Sequence, residues 1–540
     1  MYRASGFFVG VLLSCSCLTS FAQAPRLVWA QVYGASGDQQ GAGVSVDPQS
    51  HLFLSGYFDT QVTLETETTL TVGKQDLFLA RLGTDGNVIW TRFGGSAQRD
   101  VLGGVATGPP DAVYLGISSG GEMTLGADLF TSGMVIAAYS TDGQLRWTHQ
   151  PKSVEGSTWL TALSSDTQGN VFVTGYVSSS ANFGPFELVS EGGHSLRADL
   201  FIAKYDGTGT PQWGVLTGTL VLDELGLSIA NDPAGNVYVL GFSGVNFAGL
   251  DGPCSSNDRR LALLVGKHDS TGQAIWGVCE AVGEPFIDLF LNGIAVDAAG
   301  NTYIAGSNIN LDADDVSTSE LGADQQVVLV KLMPTGKVAW RVFGQGRGQS
   351  VILDSSGRVH LLKQYGTEVA LEGYSAEGTL LYTLPLGISV GQGNPNALMA
   401  IDETNHLYVT GTLNGSTTIQ ETTLVSNAGE DVFLAKFDLS TVGVNAESAP
   451  VSPGFFRLGA NYPNPFSTYT DMPIVLSAAS ELDVRVYDLL GRERAVVFQG
   501  FKSAGHHLLH FKTGALPDGI YFYQARAGSF LETRRFVLKR

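Results

Sequence analysis

The chain has 540 residues, 44% of them hydrophobic and only 15% charged, with 68 glycines and a formal net charge of −20. That length exceeds one ordinary domain, the apolar fraction excludes wholesale disorder, and the acidic balance excludes nucleic acid as a main partner, because phosphate recognition needs a basic footprint. Residues 457–540 depart from the rest: eleven Lys and Arg against seven Asp and Glu give a net of +4, which leaves −24 for the remainder and marks the tail as a separate unit.

In chain order, residues 1–22 read as a signal peptide. Arg3 supplies the positive region, Phe7 to Leu13 the apolar core, and Phe21-Ala22-Gln23-Ala24 the small residues for cleavage. Cleavage after Ala22 is preferred, since cleavage after Ala24 would leave Pro25 at the new terminus. A competing reading takes Leu12-Leu13-Ser14-Cys15 as a lipoprotein box, which Leu13 fits poorly. The apolar run is shorter than the ~20 residues of a membrane span, and no later stretch reaches that length, so no transmembrane span is expected. Cys15 and Cys17 leave with the leader. Cys254 and Cys279 remain, and in an oxidising compartment they form a candidate disulfide, against the alternative of two unrelated buried thiols.

Residues 23–440 are dominated by an internal repeat, seen in three ways. Trp29, Trp90, Trp147, Trp213, Trp276 and Trp340 share one context at spacings of 61, 57, 66, 63 and 64 residues, with Tyr382 as a seventh equivalent. An Asp, a short polar turn and an alternating apolar strand, as in Asp166 to Gly175, recur from Asp47, Asp232, Asp297, Asp354 and Asp402, with a degenerate copy at Asp111. A third strand is clearest as Asp76 to Arg81, Asp199 to Lys204 and Asp431 to Lys436, with weaker copies near Met134, Leu261, Gln326 and Val369. Each repeat thus predicts four strands: a before the Asp, b after the turn, c the third strand and d the Trp strand. Strands b and c are apolar on both faces, which four-stranded blades stacked around an axis would satisfy. A helical solenoid would need a 3.6-residue period, which is not found. The expected fold is all-β: a seven-bladed β-propeller of four-stranded blades followed by a small immunoglobulin-like β-sandwich. The last repeat lacks a Trp strand and the mature chain begins with an orphan one, so Leu27 to Tyr33 is expected beside Asp431 to Phe437, sealing the ring. These repeats resemble the SBBP-type β-propeller repeat over roughly residues 27–440, through the pairing of a DVFVAKLD–GN–W hairpin with a VD–GN–YVTG hairpin. The resemblance implies the propeller fold and supplies no catalytic residue.

Residues 441–456 lack strand periodicity and carry two prolines, Pro450 and Pro453, and read as a linker. Residues 457–540 predict a small antiparallel sandwich with strands at Pro473 to Leu476, Leu482 to Tyr487, His507 to Phe511, Gly519 to Ala525 and Arg534 to Leu538. Its motifs are Asn461-Tyr462-Pro463-Asn464-Pro465-Phe466, a central Tyr487-Asp488-Leu489-Leu490-Gly491-Arg492, Pro517-Asp518-Gly519-Ile520-Tyr521, and a terminal Lys539-Arg540. In order, spacing and position these are similar to the type A C-terminal sorting domain of the type IX secretion system of certain Gram-negative bacteria. Ser467 departs from the Asn often found there. The resemblance implies the secretion machinery as a partner, passage across the outer membrane, and attachment to the cell surface or release. An adhesive immunoglobulin-like module is the alternative.

No catalytic constellation or cofactor motif emerges. None of the nine histidines forms a metal-spaced pair, and His51 and His406 occupy a turn position that Asn fills elsewhere. The repeated Asp residues read as turn formers, because a hydrolase needs two unlike carboxylates at one place rather than one at every turn. Asp312, Asp314 and Asp315 lack the Gly and distal Glu of a calcium loop, so a solvated acidic connector is preferred. The six repeat Trp residues are expected between blades. Trp159 stands outside the repeat, just ahead of strand a of the third blade, and is a candidate ligand-binding residue that would stack on a sugar or anchor a protein, against ordinary packing. The b–c connectors are long and dissimilar, except in the sixth repeat, which places recognition on the face carrying the b–c and d–a connections. The expected function is a secreted or surface, non-enzymatic propeller that binds an extracellular protein or glycan. The alternatives are a polysaccharide-active enzyme with a site in the channel and a structural surface protein without a discrete ligand.

Overall fold

The computed structural model describes residues 24–442 and 456–540, except 35–36, 65–66, 72, 110, 127, 156, 191–196, 219–222, 244–261, 282–289, 308–325, 367, 390–397, 459–460, 462–463, 465, 477–479, 503–504, 515 and 528–529. The expected leader, the Asp312 to Asp315 cluster, and Cys254 with its pairing to Cys279 lie outside the described residues. Those residues are built of strands, with a single 3-10 turn at Leu439–Thr441 beyond the seventh repeat, and no helix is long and apolar enough to cross a membrane.

Each repeat folds as an antiparallel meander in the order a-b-c-d. Strands a are Gln39–Val46, Asp100–Gly108, Thr158–Ser165, Leu225–Asn231, Phe290–Val296, Arg347–Leu353 and Met399–Ile401. Each packs against strand a of both flanking sheets, and the seventh returns to the first, so the sheets close into a propeller-like ring with strands a innermost. The seventh sheet takes its strand d from the other end of the chain: Arg26–Tyr33 pairs with Thr422–Asp438, Leu27 opposite Phe437 and Tyr33 opposite Val432. Strands b and c are buried on both faces, as Leu52–Phe58 and Gly133–Tyr139 show. Their side chains interlock between sheets, where Phe172, Leu200 and Ile202 of sheet three meet Val237, Val239 and Leu264 of sheet four.

One feature of strand a was invisible in the sequence. In six sheets it carries a one-residue bulge at the same register, at Ala42, Gly103, Thr161, Leu227, Asn292 and Gln349. A bulge sharpens the local twist and bends the strand. Two bulged residues also tie neighbouring innermost strands: Thr161 Oγ1 donates to the Gly226 carbonyl at 2.6 Å and Asn292 Nδ2 to the Gly348 carbonyl at 2.9 Å.

The repeated Asp and Trp residues have distinct structural duties. Asp166 Oδ1 accepts from the amides of Gln168 and Asn170, both at 2.9 Å, while Asn170 Nδ2 donates to Oδ2. The same pattern holds at Asp47, Asp232, Asp297, Asp354 and Asp402. His51 stands in for the Asn, its Nδ1 2.7 Å from Asp47 Oδ2. The Trp residues act between sheets. Nε1 of Trp29, Trp90, Trp147, Trp213, Trp276 and Trp340 donates to a c–d turn carbonyl of the next sheet, on Thr84, Thr141, Gly207, Ser270, Pro334 and Ala376, at 2.8–3.0 Å. The turn glycine lies against the indole: a Cβ on Gly209, whose φ is +84°, would stand 2.6 Å from Trp147.

The junction from sheet six to sheet seven is different, because sheet seven has no c–d turn; its strands c and d come from opposite ends of the chain. Tyr382 replaces Trp there, and its hydroxyl lies 2.6 Å from His360 Nδ1, whose Nε2 lies 3.1 Å from Asp354. Arg358 donates to the carbonyls of Leu439 and Val442, anchoring the chain where it leaves the ring.

In sheets one, two, three and seven, where they are described, the long b–c connections are not the open loops that their dissimilar sequences suggested. In sheets one, two and three they form hairpins of Gln61–Leu64 with Glu67–Leu70, Met123–Leu125 with Asp128–Phe130, and Ser180–Asn182 with Glu187–Val189. In sheet seven strands b and c themselves run on into one, with Ser416 opposite Val425. Each fills the outer gap between its own sheet and the preceding one. Met123, Leu125 and Phe130 join Leu77 and Leu79 of sheet one; Phe183 and Leu188 join Met134 of sheet two; Ile419 and Leu424 join Leu384 of sheet six. Sheet six has only a tight turn between Tyr365 and Glu368.

The tail is two antiparallel sheets. One contains Phe456–Leu458, Tyr469–Leu476 and Gly505–Lys512; the other runs in the order Glu493–Lys502, Ser480–Tyr487, Gly519–Ala527, Phe530–Leu538. They share a core that includes Leu458, Phe466, Met472, Val484, Tyr523 and Phe536. Strand Glu493–Lys502 was not expected. It lies at a sheet edge, packs Ala495, Val497 and Phe498 on the core and leaves Val496 and Phe501 exposed, so its apolar residues fall on both faces.

Candidate functional site

The tail motifs, scattered in sequence, meet at one end of the four-stranded sheet. Tyr487 lies opposite Phe522 and Gly519 opposite Leu538, which brings the Asp488 turn, the Pro517 to Gly519 turn and the chain terminus together. A parallel bridge from Phe466 to Leu538 adds the opening motif. Asn461 Nδ2 donates to Thr470 Oγ1 at 2.9 Å, and Asn461 Oδ1 accepts from Asn464 Nδ2 at 3.2 Å. Asn464 Oδ1 accepts from the Val537 amide at 2.8 Å, so a side chain serves where a neighbouring strand would. Tyr462, Pro463 and Pro465 lie outside the described residues.

The central motif is a charged turn. Asp488 Oδ1 accepts from the amides of Leu490 and Arg492, and Oδ2 from Nε of Arg492 at 2.8 Å and of Arg494 at 3.0 Å. Desolvation pushes this carboxyl up, but the amides and the Arg492 guanidinium outweigh it and bring it down to about 2. Gly491 closes the turn at φ +74°. Tyr521 donates to the Pro517 carbonyl at 2.7 Å and stacks on Phe536 at 5.3 Å. Arg540 donates to the carbonyls of Leu516 and Gly514, fixing the last residue of the chain. Leu489 and Leu490 stand out of this frame at 66% and 76% exposure, beside two arginines.

Residues 460–539 match the family described as the secretion system C-terminal sorting domain. The tail is a secretion sorting domain. The chain that carries it is a secreted or cell-surface protein. No curated protein matches the chain. Among solved structures, PorZ, described as an essential bacterial surface component of the type-IX secretion system of Porphyromonas gingivalis, is similar at 12% identity over 93% of this chain and 81% of that one, with a TM-score of 0.30. Prolyl oligopeptidase B from Galerina marginata is similar at 9% identity, 83% and 57% coverage, and a TM-score of 0.37. A protein of unknown function from Bacteroides caccae is similar at 12% identity, 59% and 94% coverage, and a TM-score of 0.29.

Ahead of the sorting domain, the ring holds two departures from its own repeat. Trp159 does not precede strand a; it is the second residue within Thr158–Ser165, opposite Tyr176. The two rings lie 6.4 Å apart at 8°, and Trp159 is half-buried. Its register position on the other bulged innermost strands is held by Gln40, Val101, Leu225, Phe290 and Arg347.

The second departure escaped sequence reasoning. Lys363 holds the strand b position of Gly56, Gly175, Gly241, Gly306 and Gly411, and Glu372 the strand c position of Ala80, Ala137, Ala203 and Ala435. Both are buried, with Lys363 Nζ 3.5 Å from Glu372 Oε2. Tyr365 donates to Glu372 Oε1 at 2.6 Å and Tyr374 to Oε2, so every charge in the cluster is matched. Long polar side chains thus occupy the side of sheet six that faces sheet five, where other sheets insert a hairpin. The available signal was a Lys and a Glu at positions where the repeat places Gly and Ala.

Proposed function

We propose that this chain is a non-enzymatic, seven-bladed β-propeller of the SBBP-repeat kind that binds an extracellular protein or glycan. Its immunoglobulin-like sorting domain delivers it through the type IX secretion system to the outside of a Gram-negative cell. The observation that carries the export reading is the convergence of three separate motifs and the chain terminus on one end of a domain that matches a sorting family. A binding rather than catalytic ring is supported by the repeated Asp residues, each committed to the amides of its own turn.

The described b–c hairpins are folded into the gaps between sheets, which favours the d–a ends and the upper rim of the innermost strands as the recognition surface. Trp159 stands on that rim, paired with Tyr176, as a flat aromatic surface suited to a sugar ring or an apolar anchor. Glycan arrays and pull-downs with the full chain and with Trp159→Ala test this reading. Binding that falls at least tenfold in a variant with unchanged far-ultraviolet circular dichroism supports it. Unaltered binding moves the site elsewhere, and hydrolysis of an arrayed glycan would replace the binding reading with an enzymatic one.

A further inference from the structure

The polar pair of sheet six sits on neighbouring strands b and c, diagonally across the ladder. Lys363 is opposite Ala370 and Glu372 opposite Leu361, so the two side chains leave the same face of the sheet. Lys363 is 2% exposed and Glu372 3%. On that face Leu361 and Tyr374 belong to one apolar cluster with Trp340 and Val342 of sheet five.

The contacts of the pair suit a reaction better than a salt bridge. Lys363 Nζ stands 3.5 Å from Glu372 Oε2, long for a charge-assisted hydrogen bond, and 4.7 Å from the centroid of the Tyr365 ring. Both carboxyl oxygens are engaged by hydroxyls: Tyr365 donates to Oε1 at 2.6 Å and Tyr374 to Oε2. Donors on both oxygens stabilise the charge that develops on oxygen when a nucleophile adds to the carboxyl carbon. The nucleophile at hand is the lysine nitrogen. A buried pair sheds both of its charges when one proton passes from the ammonium to the carboxylate, and that step leaves a free amine beside a carboxylic acid. Holding the two groups in one folded site supplies the effective concentration that condensation requires.

We infer that Lys363 and Glu372 condense into an intramolecular amide bond. Lys363 Nζ, having given one proton to Glu372, adds to Glu372 Cδ, and the tetrahedral centre collapses with loss of water. One N–C bond forms and one C–O bond breaks. The departing oxygen comes from Glu372 and its two protons from the original ammonium, so the reaction is charge-neutral and needs no oxidant or co-reactant. The bond staples strand b to strand c in sheet six, whose b–c connection is a tight turn, whereas sheets one, two, three and seven carry a hairpin there. A covalent tie at that place resists local opening of the sheet in a protein that works outside the cell. It depends on neither the export nor the binding reading, because it is a property of the ring alone.

The test is a tryptic digest of the full-length chain after unfolding, reduction and alkylation, read by mass spectrometry. Arg358 and Lys363 bracket the peptide Val359 to Lys363. Trypsin does not cleave after a lysine whose Nζ is acylated. The unaltered chain should therefore fail to release that peptide, and the fragment from Val359 to Lys436 should weigh one water molecule less than its sequence. Glu372→Ala, which has no carboxyl group to condense, should release the peptide in full. Release from the unaltered chain at the level of Glu372→Ala would overturn the assignment. The deciding digest is made on the unaltered protein, so poor folding of the variant does not weaken it.

Discussion

In the ring, one set of contacts is made again and again, each reaching the next sheet: an indole N–H to a turn carbonyl at six junctions. In the sorting domain each motif occurs once, and its contacts reach across the whole domain, as when Asn464 receives the amide of Val537, 73 residues away. Repetition spreads stability over equivalent sites, so no single repeat residue marks a function. A motif used once concentrates it. The unrepeated residues are the sorting motifs, Trp159, which the proposed function makes a binding residue, and the buried Lys363–Glu372 pair.

The largest expected effect comes where the ring's repetition is broken by the chain ends. Deleting Arg26–Tyr33 strips strand d from sheet seven and exposes the packing of Leu27, Trp29, Val32 and Tyr33. At about 1.5–3 kcal/mol for each large apolar side chain buried, the loss is roughly 5–10 kcal/mol, which urea titration should register as a collapse of the ring transition. An unchanged midpoint would mean that the ring does not need this strand.

Next comes acid. His268 ends strand c of sheet four, where other sheets have Leu82, Tyr139, Tyr205, Leu332, Tyr374 and Phe437. Burial pulls its pKa from 6.5 down to about 4, so between those values the unfolded chain binds the proton more readily. Its contribution is fully present above pH 6.5 and is lost as pH falls toward 4, about 3 kcal/mol in all. Stability measured from pH 7 to pH 4 should flatten in His268→Leu, and an equal slope in both proteins would refute this assignment.

The sorting domain should be sensitive to one polar side chain. Asn464→Ala removes three side-chain hydrogen bonds at once, with the Val537 amide, Asn461 Oδ1 and the Arg535 carbonyl, a combined loss of about 1–3 kcal/mol. A ring junction should be less sensitive: Trp213→Phe removes the hydrogen bond to Ser270 and costs about 1 kcal/mol, with Trp147→Phe costing the same within about 0.5 kcal/mol. Unequal costs at these two sites would break the equivalence of the junctions.

Much of the ring was legible because its signals repeat. The Trp period, the Asp turns and the orphan strand at Leu27 to Tyr33 each announced a place in the sheet order. The bulges were hidden because one extra residue in strand a leaves its composition unchanged. The hairpins of sheets two and three were hidden because their strands, such as Met123–Leu125 and Ser180–Asn182, are only three residues long, below the length at which alternation can be read. The Lys363–Glu372 pair is nine residues apart in sequence and becomes a pair only through the register of strands b and c. In the sorting domain the motifs were plain, but their meeting at one end depends on the pairing of Gly519 with Leu538.

In the proposed function the sorting domain, and not the ring, carries the chain to the outside of the cell. The most direct measurement compares the full-length chain with one ending at Val442, where Arg358 still anchors the exit from the ring. Both are expressed in the native host, fractionated, and probed with a protease added to intact cells. The full-length chain should yield a protease-accessible surface or extracellular ring, while the truncated chain should be folded but retained inside the outer membrane. Equal arrival of the two chains at the surface would contradict it.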